Sequence, residues 1–154
     1  MKKILIIAAT LSINVFAADL PDASRTPGVI NPNVTQENIN QTICVSGWTK
    51  TIRPPVSYTN NLKIKQMKEL GLAGDPRDYK EDHHISLELG GHPTDPKNLW
   101  PEKWEGEWGA HKKDAIETRL KRMVCAGQIT LAEAQNAIAT DWIAAYKKYT
   151  PAKK

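Results

Sequence analysis

The sequence is poor in aromatic residues, in cysteine and in long apolar runs, and each shortage excludes a class of protein. It has one phenylalanine and two cysteines in 154 residues, and aromatic residues make up 6% of the chain. Beyond the first seventeen residues no apolar run approaches the roughly 20 residues that a membrane span needs, and mean hydropathy is −0.49. A multi-span membrane protein is therefore excluded. Neither cysteine has a second one two to four residues away, which argues against zinc ligation by cysteine.

Length and charge indicate one small basic domain. The 154 residues are too few for two sizeable cores. The 21 lysines and arginines exceed the 17 aspartates and glutamates by four, and the pI is about 9.0. This balance favours polyanionic partners such as nucleic acid or a membrane surface.

The N-terminal segment, residues 1–17, has the features of a secretory signal peptide. Lys2 and Lys3 precede a short apolar run, and Val15 and Ala17 are small residues at the −3 and −1 positions of a cleavage site. We expect cleavage after Ala17, a periplasmic or secreted protein, and no membrane partner afterwards. Without the two lysines the net charge falls to +2, so half of the excess positive charge belongs to the leader.

Export places Cys44 and Cys125 in an oxidising compartment, where an even number of cysteines in a small domain predicts a disulfide. Two reduced thiols packed in the core are the alternative. A bridge between these positions closes a long loop and restricts the unfolded chain accordingly.

Proline, glycine and residue periodicity divide the rest into an N-terminal arm, 18–42, and a domain, 43–150. Proline and glycine between 21 and 32 predict an extended, loosely attached arm, and Thr35 predicts the start of a short helix. β-Branched and aromatic residues favour a strand over 43–52. Further helices are predicted over 60–70, capped by Thr59 or Asn60, over 110–126, and over 131–148, capped by Thr130.

The four histidines fall within 29 residues, and the chemistry is expected there. The segment contains the strings Glu81-Asp82-His83-His84-Ile85-Ser86-Leu87-Glu88-Leu89-Gly90-Gly91, Asp95-Pro96-Lys97-Asn98-Leu99-Trp100-Pro101 and Ala110-His111-Lys112-Lys113-Asp114. A neutral imidazole is a general base at pH 7, and carboxylates bind hard divalent cations. Neighbouring residues of a strand point to opposite faces, so Asp82 and His83 share one site only where the strand ends or bends.

These strings resemble the HNH nucleases of the ββα-metal superfamily, and the whole chain is similar to small exported bacterial HNH-like proteins. The matching features are the acid–histidine pair, the Gly-Gly that follows, Asn-Leu fifteen residues after His83, and a histidine on the next helix. The resemblance implies an α+β fold with a ββα-metal core over about 79–125 and flanking helices. It also implies an exported, metal-dependent endonuclease that hydrolyses phosphodiesters of DNA or RNA.

The resemblance assigns a role to each residue of the motif. His83 would be the general base, and Asn98 would hold the loop that orients it. Asp82 and His111 would be ligands of one divalent ion, with Mg²⁺ favoured and Mn²⁺, Zn²⁺ or Ni²⁺ as alternatives. Hydrolysis then uses water as nucleophile and the ion to stabilise the developing charge.

Two departures from the family pattern leave alternatives open. His84 stands where the family has an apolar residue, which makes it an alternative base or ligand. Asn98 and His111 are thirteen residues apart, more than is usual in the family, so Glu107 and Asp114, spaced with His111 on one helical face, are possible replacements for it.

Basic residues on the predicted helix over 110–126 favour sequence-nonspecific binding of nucleic acid through its phosphates. Those expected to contact phosphate are Lys112, Lys113, Arg119 and Arg122. Trp100, Trp104 and Trp108 are expected in the core, with base stacking as the alternative. The rival function is a non-catalytic exported module in which Asp82, His84 and His111 hold zinc in a structural or nucleic-acid-binding role.

Overall fold

The structure, a computed structural model, describes residues 19–150. The predicted signal peptide lies outside the described residues. The α-helices are α1 (Trp48–Ile52), α2 (Val56–Leu70), α3 (Ala110–Cys125) and α4 (Leu131–Tyr149), and the strands are β1 (Tyr79–His83) and β2 (Leu99–Lys103). Short 3-10 helices cover Gln36–Gln41, Pro76–Asp78, Leu87–Leu89 and Pro96–Asn98. The predicted α+β class is confirmed.

Strands β1 and β2 form an antiparallel pair that leads directly into α3. Tyr79 pairs with Lys103 at one end and His83 with Leu99 at the other. Helix α2 packs on both strands, and α3 packs against α4. The order along the chain from residue 79 is therefore strand, strand, helix, within the range predicted for the core.

The hydrophobic core lies chiefly between α3, α4 and the loop after β1. Ile116, Leu120 and Ile138 are completely buried, and Trp142 is enclosed with them. The last helix buries an apolar stripe formed by Leu131, Ala134, Ile138, Trp142 and Ala145. The helix is not continuous, because Asp141 has extended backbone angles and its carboxylate accepts the amide of Ala144, which restarts the helix.

The N-terminal arm is packed into the fold, so the prediction of a loosely attached arm is wrong. Val34 and Ile39 belong to the core, and Ile30 forms an isolated antiparallel bridge with Gly91. The carbonyl of Asp19 accepts a hydrogen bond from the indole of Trp142. Apolar anchors spaced along an irregular segment hold the arm without a regular periodicity that the sequence would reveal.

The predicted strand over 43–52 is also wrong. Ile43 is buried and starts a series of turns, Gly47 adopts a left-handed φ of 79°, and the five-residue helix α1 follows. Residues that favour strands form one only beside a partner strand, and in the described structure the sheet has two strands, β1 and β2. Tertiary packing therefore decides the conformation of this segment.

The predicted disulfide joins Cys44 to Cys125, with the Cα atoms 5.7 Å apart. It links the turns before α1 to the last residue of α3 across 81 positions of sequence. Such a bridge is typical of proteins from oxidising compartments.

Among the described helices, none combines the length and the apolar character needed to cross a membrane.

Candidate functional site

Strand β1 ends at one wall of a polar cavity of about 220 Å³. Its lining combines a histidine, carboxylates and cationic groups: Thr49, Arg53, Lys80, Asp82, His83, Ser86, Leu87, Glu88, Asp114, Glu117 and Thr118. Asp82 and His83 share this cavity because the strand stops at His83 and the chain bends immediately afterwards. Two neighbouring residues of a strand can share one site only where the strand ends or bends, and it ends here.

The imidazole of His83 is held in one tautomer. Its Nε2 lies 2.9 Å from the carbonyl oxygen of Pro93. A carbonyl oxygen only accepts, so Nε2 carries the hydrogen and Nδ1 of the neutral ring has the free lone pair. Burial lowers the pKa of His83 below its usual value of 6.5, against the opposing effect of this hydrogen bond. The neutral, proton-accepting form therefore predominates at pH 7.

Asn98 fixes the loop that carries the Pro93 carbonyl. It is completely buried, and its Oδ1 accepts the amides of Ile85 at 2.9 Å and Val29 at 3.2 Å. Its Nδ2 donates to the carbonyls of Ile85 and His92 at 3.0 and 2.9 Å. Asn98 thus has the position and the bonds of the loop-holding residue that the resemblance implies.

Gly91 permits the close approach that this loop requires. A Cβ atom at residue 91 would lie 1.7 Å from the carbonyl oxygen of Ile85, so every larger residue would push the loop away from Asn98. Gly90 adopts a left-handed φ of 73° at the end of the short helix Leu87–Leu89. The Gly-Gly of the motif thus has a steric and a conformational reason.

Asp82 is buried and pairs with two lysines. Its Oδ2 lies 2.7 Å from Nζ of Lys113, and its Oδ1 lies 2.9 Å from Nζ of Lys80. Burial would raise the pKa of Asp82, but the two ammonium groups hold it below its usual range. Asp82 is therefore ionised, with one cation on each carboxylate oxygen.

Lys113 is the centre of a buried ionic cluster on α3. Its side chain is 0% exposed, and Nζ also donates to the His83 carbonyl at 2.7 Å and to the carboxylate of Glu117. Burial alone would lower the pKa of Lys113, but the charges of Asp82 and Glu117 raise it. Lys113 was predicted to contact phosphate, and this is wrong, because no part of its side chain reaches the surface.

His111 and Glu107 lie away from this cavity. The His111 side chain is 69% exposed, its Nε2 lies 3.8 Å from the Glu105 carboxylate, and its ring contacts Trp104. Lys113 and Asp114 of α3 contact side chains of β1, and Glu117 lines the cavity with them. His111 stands two positions before Lys113, and two positions along a helix turn a side chain by about 200°. Glu107 is exposed and precedes the first residue of α3, so the expected helical face from Glu107 to Asp114 does not form.

The predicted metal ligands therefore do not form one set in this arrangement. Asp82 and Asp114 line the cavity, whereas His111 and Glu107 do not. Over residues 19–150, His, Cys, Asp and Glu side chains form no group of three or more arranged to hold a metal ion. Each oxygen of Asp82 is already paired with an ammonium group, and a divalent ion would have to displace Lys80 from Oδ1 or the fully buried Lys113 from Oδ2, so the residues as arranged do not fit that ion.

The other two histidines have structural contacts. His84 is buried, and its Nδ1 donates to the carbonyl of Thr26 at 2.8 Å, which ties the N-terminal arm to the end of β1. His92 Nδ1 accepts the amides of Thr94 and Asp95 and so shapes the loop before Asn98. His84 does not line the cavity that contains His83.

The remaining residues predicted to bind nucleic acid lie at or near the surface of α3. Arg119 and Arg122 are exposed, and the Lys112 ammonium lies 4.4 Å from the centre of the Trp108 ring. Trp100 is buried in β2, as predicted for the core, while Trp104 and Trp108 are half-buried. These tryptophans lie in a strand and a loop, so their four-residue spacing does not produce a helical stripe.

Lys80, Glu117 and Arg53 belong to the cavity but were not predicted from the sequence. Lys80 is two residues before Asp82 on the same face of the strand, and Glu117 follows Lys113 by one helical turn. Strand and helix periodicity is therefore the signal that could have located both residues. Arg53 ends α1, and no local pattern connects it to the motif.

No family model, curated protein or solved structure matches this chain. Fold and site together define a disulfide-bonded α+β chain with a polar cavity between β1 and α3. The cavity contains a neutral, tautomer-fixed histidine beside a cluster of carboxylates and ammonium groups.

Proposed function

We propose that the protein is an exported nuclease of the HNH type that hydrolyses phosphodiester bonds of nucleic acid, with His83 as the general base. The observation that carries the proposal is the hydrogen bond from His83 Nε2 to the Pro93 carbonyl, which leaves Nδ1 as the basic nitrogen at a polar cavity. The strand–strand–helix order and the loop-holding bonds of Asn98 support it.

The cavity suits a reaction on an anionic ester. Nδ1 of His83 takes a proton from a water molecule as its oxygen attacks phosphorus, and the bond from phosphorus to the leaving 3′ oxygen breaks. The leaving oxygen takes a proton from solvent. Arg53 and Lys80, which line the same cavity, supply positive charge near the phosphate.

The substrate is nucleic acid without sequence preference, as the sequence predicts. Arg119 and Arg122 are exposed on α3, the helix that also contributes Asp114 and Glu117 to the cavity. Contacts of this kind bind the phosphate backbone and predict affinity that falls steeply with salt. One divalent ion, Mg²⁺ above all, is the cofactor that the resemblance implies, and its requirement is part of the test below.

The rival zinc-binding module needs Asp82, His84 and His111 at one point. Asp82 is paired with two lysines, His84 with Thr26, and His111 lies beside Trp104. This placement favours the nuclease over the module.

The deciding experiment is nicking of supercoiled plasmid by the purified protein, with Mg²⁺, Mn²⁺ or Zn²⁺ and with chelator. We expect cleavage by the native protein and a loss of roughly 100-fold or more in His83→Ala, the range general-base catalysis contributes. His84→Ala is the matched control, since its side chain lies outside the cavity; its thermal unfolding midpoint shows any structural cost. Absence of cleavage in every arm overturns the proposal, and loss only in His84→Ala places the base one residue further on.

A further inference from the structure

We propose, resting on the nuclease function above, that the ammonium group of Lys80 contacts the scissile phosphate and supplies the positive charge that a divalent ion supplies in the nucleases this chain resembles. Lys113 holds Asp82, one of the two carboxylates that position Lys80. The reaction then proceeds without a metal ion.

Lys113 has no donor left for a substrate. An ammonium group has three N–H donors, and those of Lys113 reach Asp82 Oδ2, the His83 carbonyl and Glu117. The side chain is completely buried. Lys113 therefore connects the end of β1 to α3 and fixes Asp82 beside His83.

Lys80 has the same charge but one donor free. Its Nζ lies 2.9 Å from Asp82 Oδ1 and 2.5 Å from Asp114 Oδ1, and no other hydrogen bond of this group occurs within residues 19–150. Its side chain is 19% exposed and lines the cavity together with His83. The third N–H is available to a phosphate oxygen at the point where His83 activates water.

Both oxygens of Asp82 are already paired with ammonium groups, Oδ1 with Lys80 and Oδ2 with Lys113. Three carboxylates, from Asp82, Asp114 and Glu117, contact the two ammonium groups. An ion on Oδ2 would take from the buried Lys113 one of its two carboxylate partners, and charge left uncompensated in a protein interior is unfavourable. An ion on Oδ1 would have to displace the Lys80 ammonium group, which Asp114 also holds.

The hydrolysis needs no redox partner and forms no covalent bond between enzyme and substrate. The bond from water oxygen to phosphorus forms, and the bond to the 3′ oxygen breaks. His83 Nδ1 receives the proton from water, and solvent protonates the 3′ oxygen. Lys80 stays protonated throughout and donates a hydrogen bond to the phosphate, where charge accumulates.

The test is plasmid nicking by metal-stripped protein in EDTA, with Lys80→Met and the matched control Lys65→Met. Lys65 is an exposed lysine of α2, with a side chain 71% exposed. We expect EDTA to leave the native rate unchanged within about twofold. We expect Lys80→Met to lose roughly 100-fold, as for removal of one donor to a developing oxyanion, and Lys65→Met to lose nothing.

A second measurement is calorimetric titration of the native protein and of Asp82→Asn with Mn²⁺. It measures metal binding directly and depends neither on nuclease activity nor on a Lys80 variant. The proposal is supported if neither protein binds Mn²⁺, or if both bind it equally well. Cleavage that EDTA abolishes and Mg²⁺ restores overturns the proposal but leaves the nuclease function standing, as does Mn²⁺ binding that Asp82→Asn abolishes. Absence of cleavage both in EDTA and with metals overturns the nuclease function itself.

Discussion

Asn98 shows how much one side chain does at this site. It makes four hydrogen bonds, to the amides of Val29 and Ile85 and to the carbonyls of Ile85 and His92. It thereby joins the N-terminal arm, the residue after His84 and the loop that carries the Pro93 carbonyl. One buried amide thus contributes to local stability and to the orientation of the His83 imidazole.

Replacing Asn98 with alanine is expected to lower the free energy of unfolding by roughly 3–5 kcal/mol, since buried amides and carbonyls lose their partners. Urea denaturation followed by circular dichroism measures the change. Asn61→Ala, at an exposed asparagine of α2, serves as control and is expected to shift stability by less than about 0.5 kcal/mol. Equal losses in both variants would contradict the role assigned to Asn98.

Glu81 is a carboxyl group that is paired with no partner. Its oxygens are buried and make no hydrogen bond in the described part of the chain. Burial, followed by the charge of Asp82, raises the pKa of Glu81 to about 8, against the opposing charge of Lys63. The folded protein therefore keeps this group protonated at a pH where the unfolded chain ionises it.

The raised pKa of Glu81 makes the stability of the folded protein depend on pH. A raised carboxyl pKa makes the folded state less stable as pH rises from 4.5 towards 8, because the unfolded chain releases the proton first. Glu81→Gln removes this cost, so its stability relative to the native protein is expected to increase over that window. Urea denaturation at pH 5 and pH 8 measures both proteins, and a difference independent of pH would show that Glu81 does not titrate as described.

At the scale of the elements, helices α3 and α4 were predictable and the segment before α2 was not. Ala110 begins α3 and Thr130 caps α4, as local signals predict. Helix α2 begins at Val56, before the predicted cap at Thr59 or Asn60, because Pro55 starts it. Helix caps and apolar periodicity depend on residues within one or two helical turns, whereas the conformation of α1 depends on the residues packed around Ile43.

The start of α4 provides a test of the capping signal. Thr130 Oγ1 accepts the Glu133 amide at 3.1 Å, and the Glu133 carboxylate accepts the Thr130 amide at 2.7 Å. Thr130→Ala is expected to lower the free energy of unfolding by about 1 kcal/mol. Thr140→Ala, an exposed threonine inside the same helix, is the control and is expected to be neutral or slightly stabilising, since alanine is the better helix former. A loss at Thr140 as large as that at Thr130 would argue against the capping box.

At the scale of the whole molecule, the Cys44–Cys125 bridge compensates for a small core. It closes a loop with a sequence separation of 81 and joins the region before α1 to the end of α3. Reduction is expected to lower the free energy of unfolding by about 4–5 kcal/mol through the entropy of the unfolded chain. Denaturation with and without dithiothreitol measures this, and Cys44→Ser/Cys125→Ser is expected to match the reduced protein. If that variant is as stable as the oxidised protein, the bridge has no such role.

The sequence alone determined the α+β class, the disulfide pair, the two C-terminal helices and the placement of His83 and Asn98 in one loop system. The helices follow from caps and apolar spacing, which depend on near neighbours, and the disulfide follows from an even number of cysteines in a chain with an export signal. The α+β class and the roles of His83 and Asn98 were implied by the resemblance of the motif. Only the tertiary structure decided which face of α3 meets β1. That rotation brings Lys113 and Glu117 to Asp82 and turns His111 away. Ion pairs between distant residues depend on how elements pack, and packing is set by the whole core.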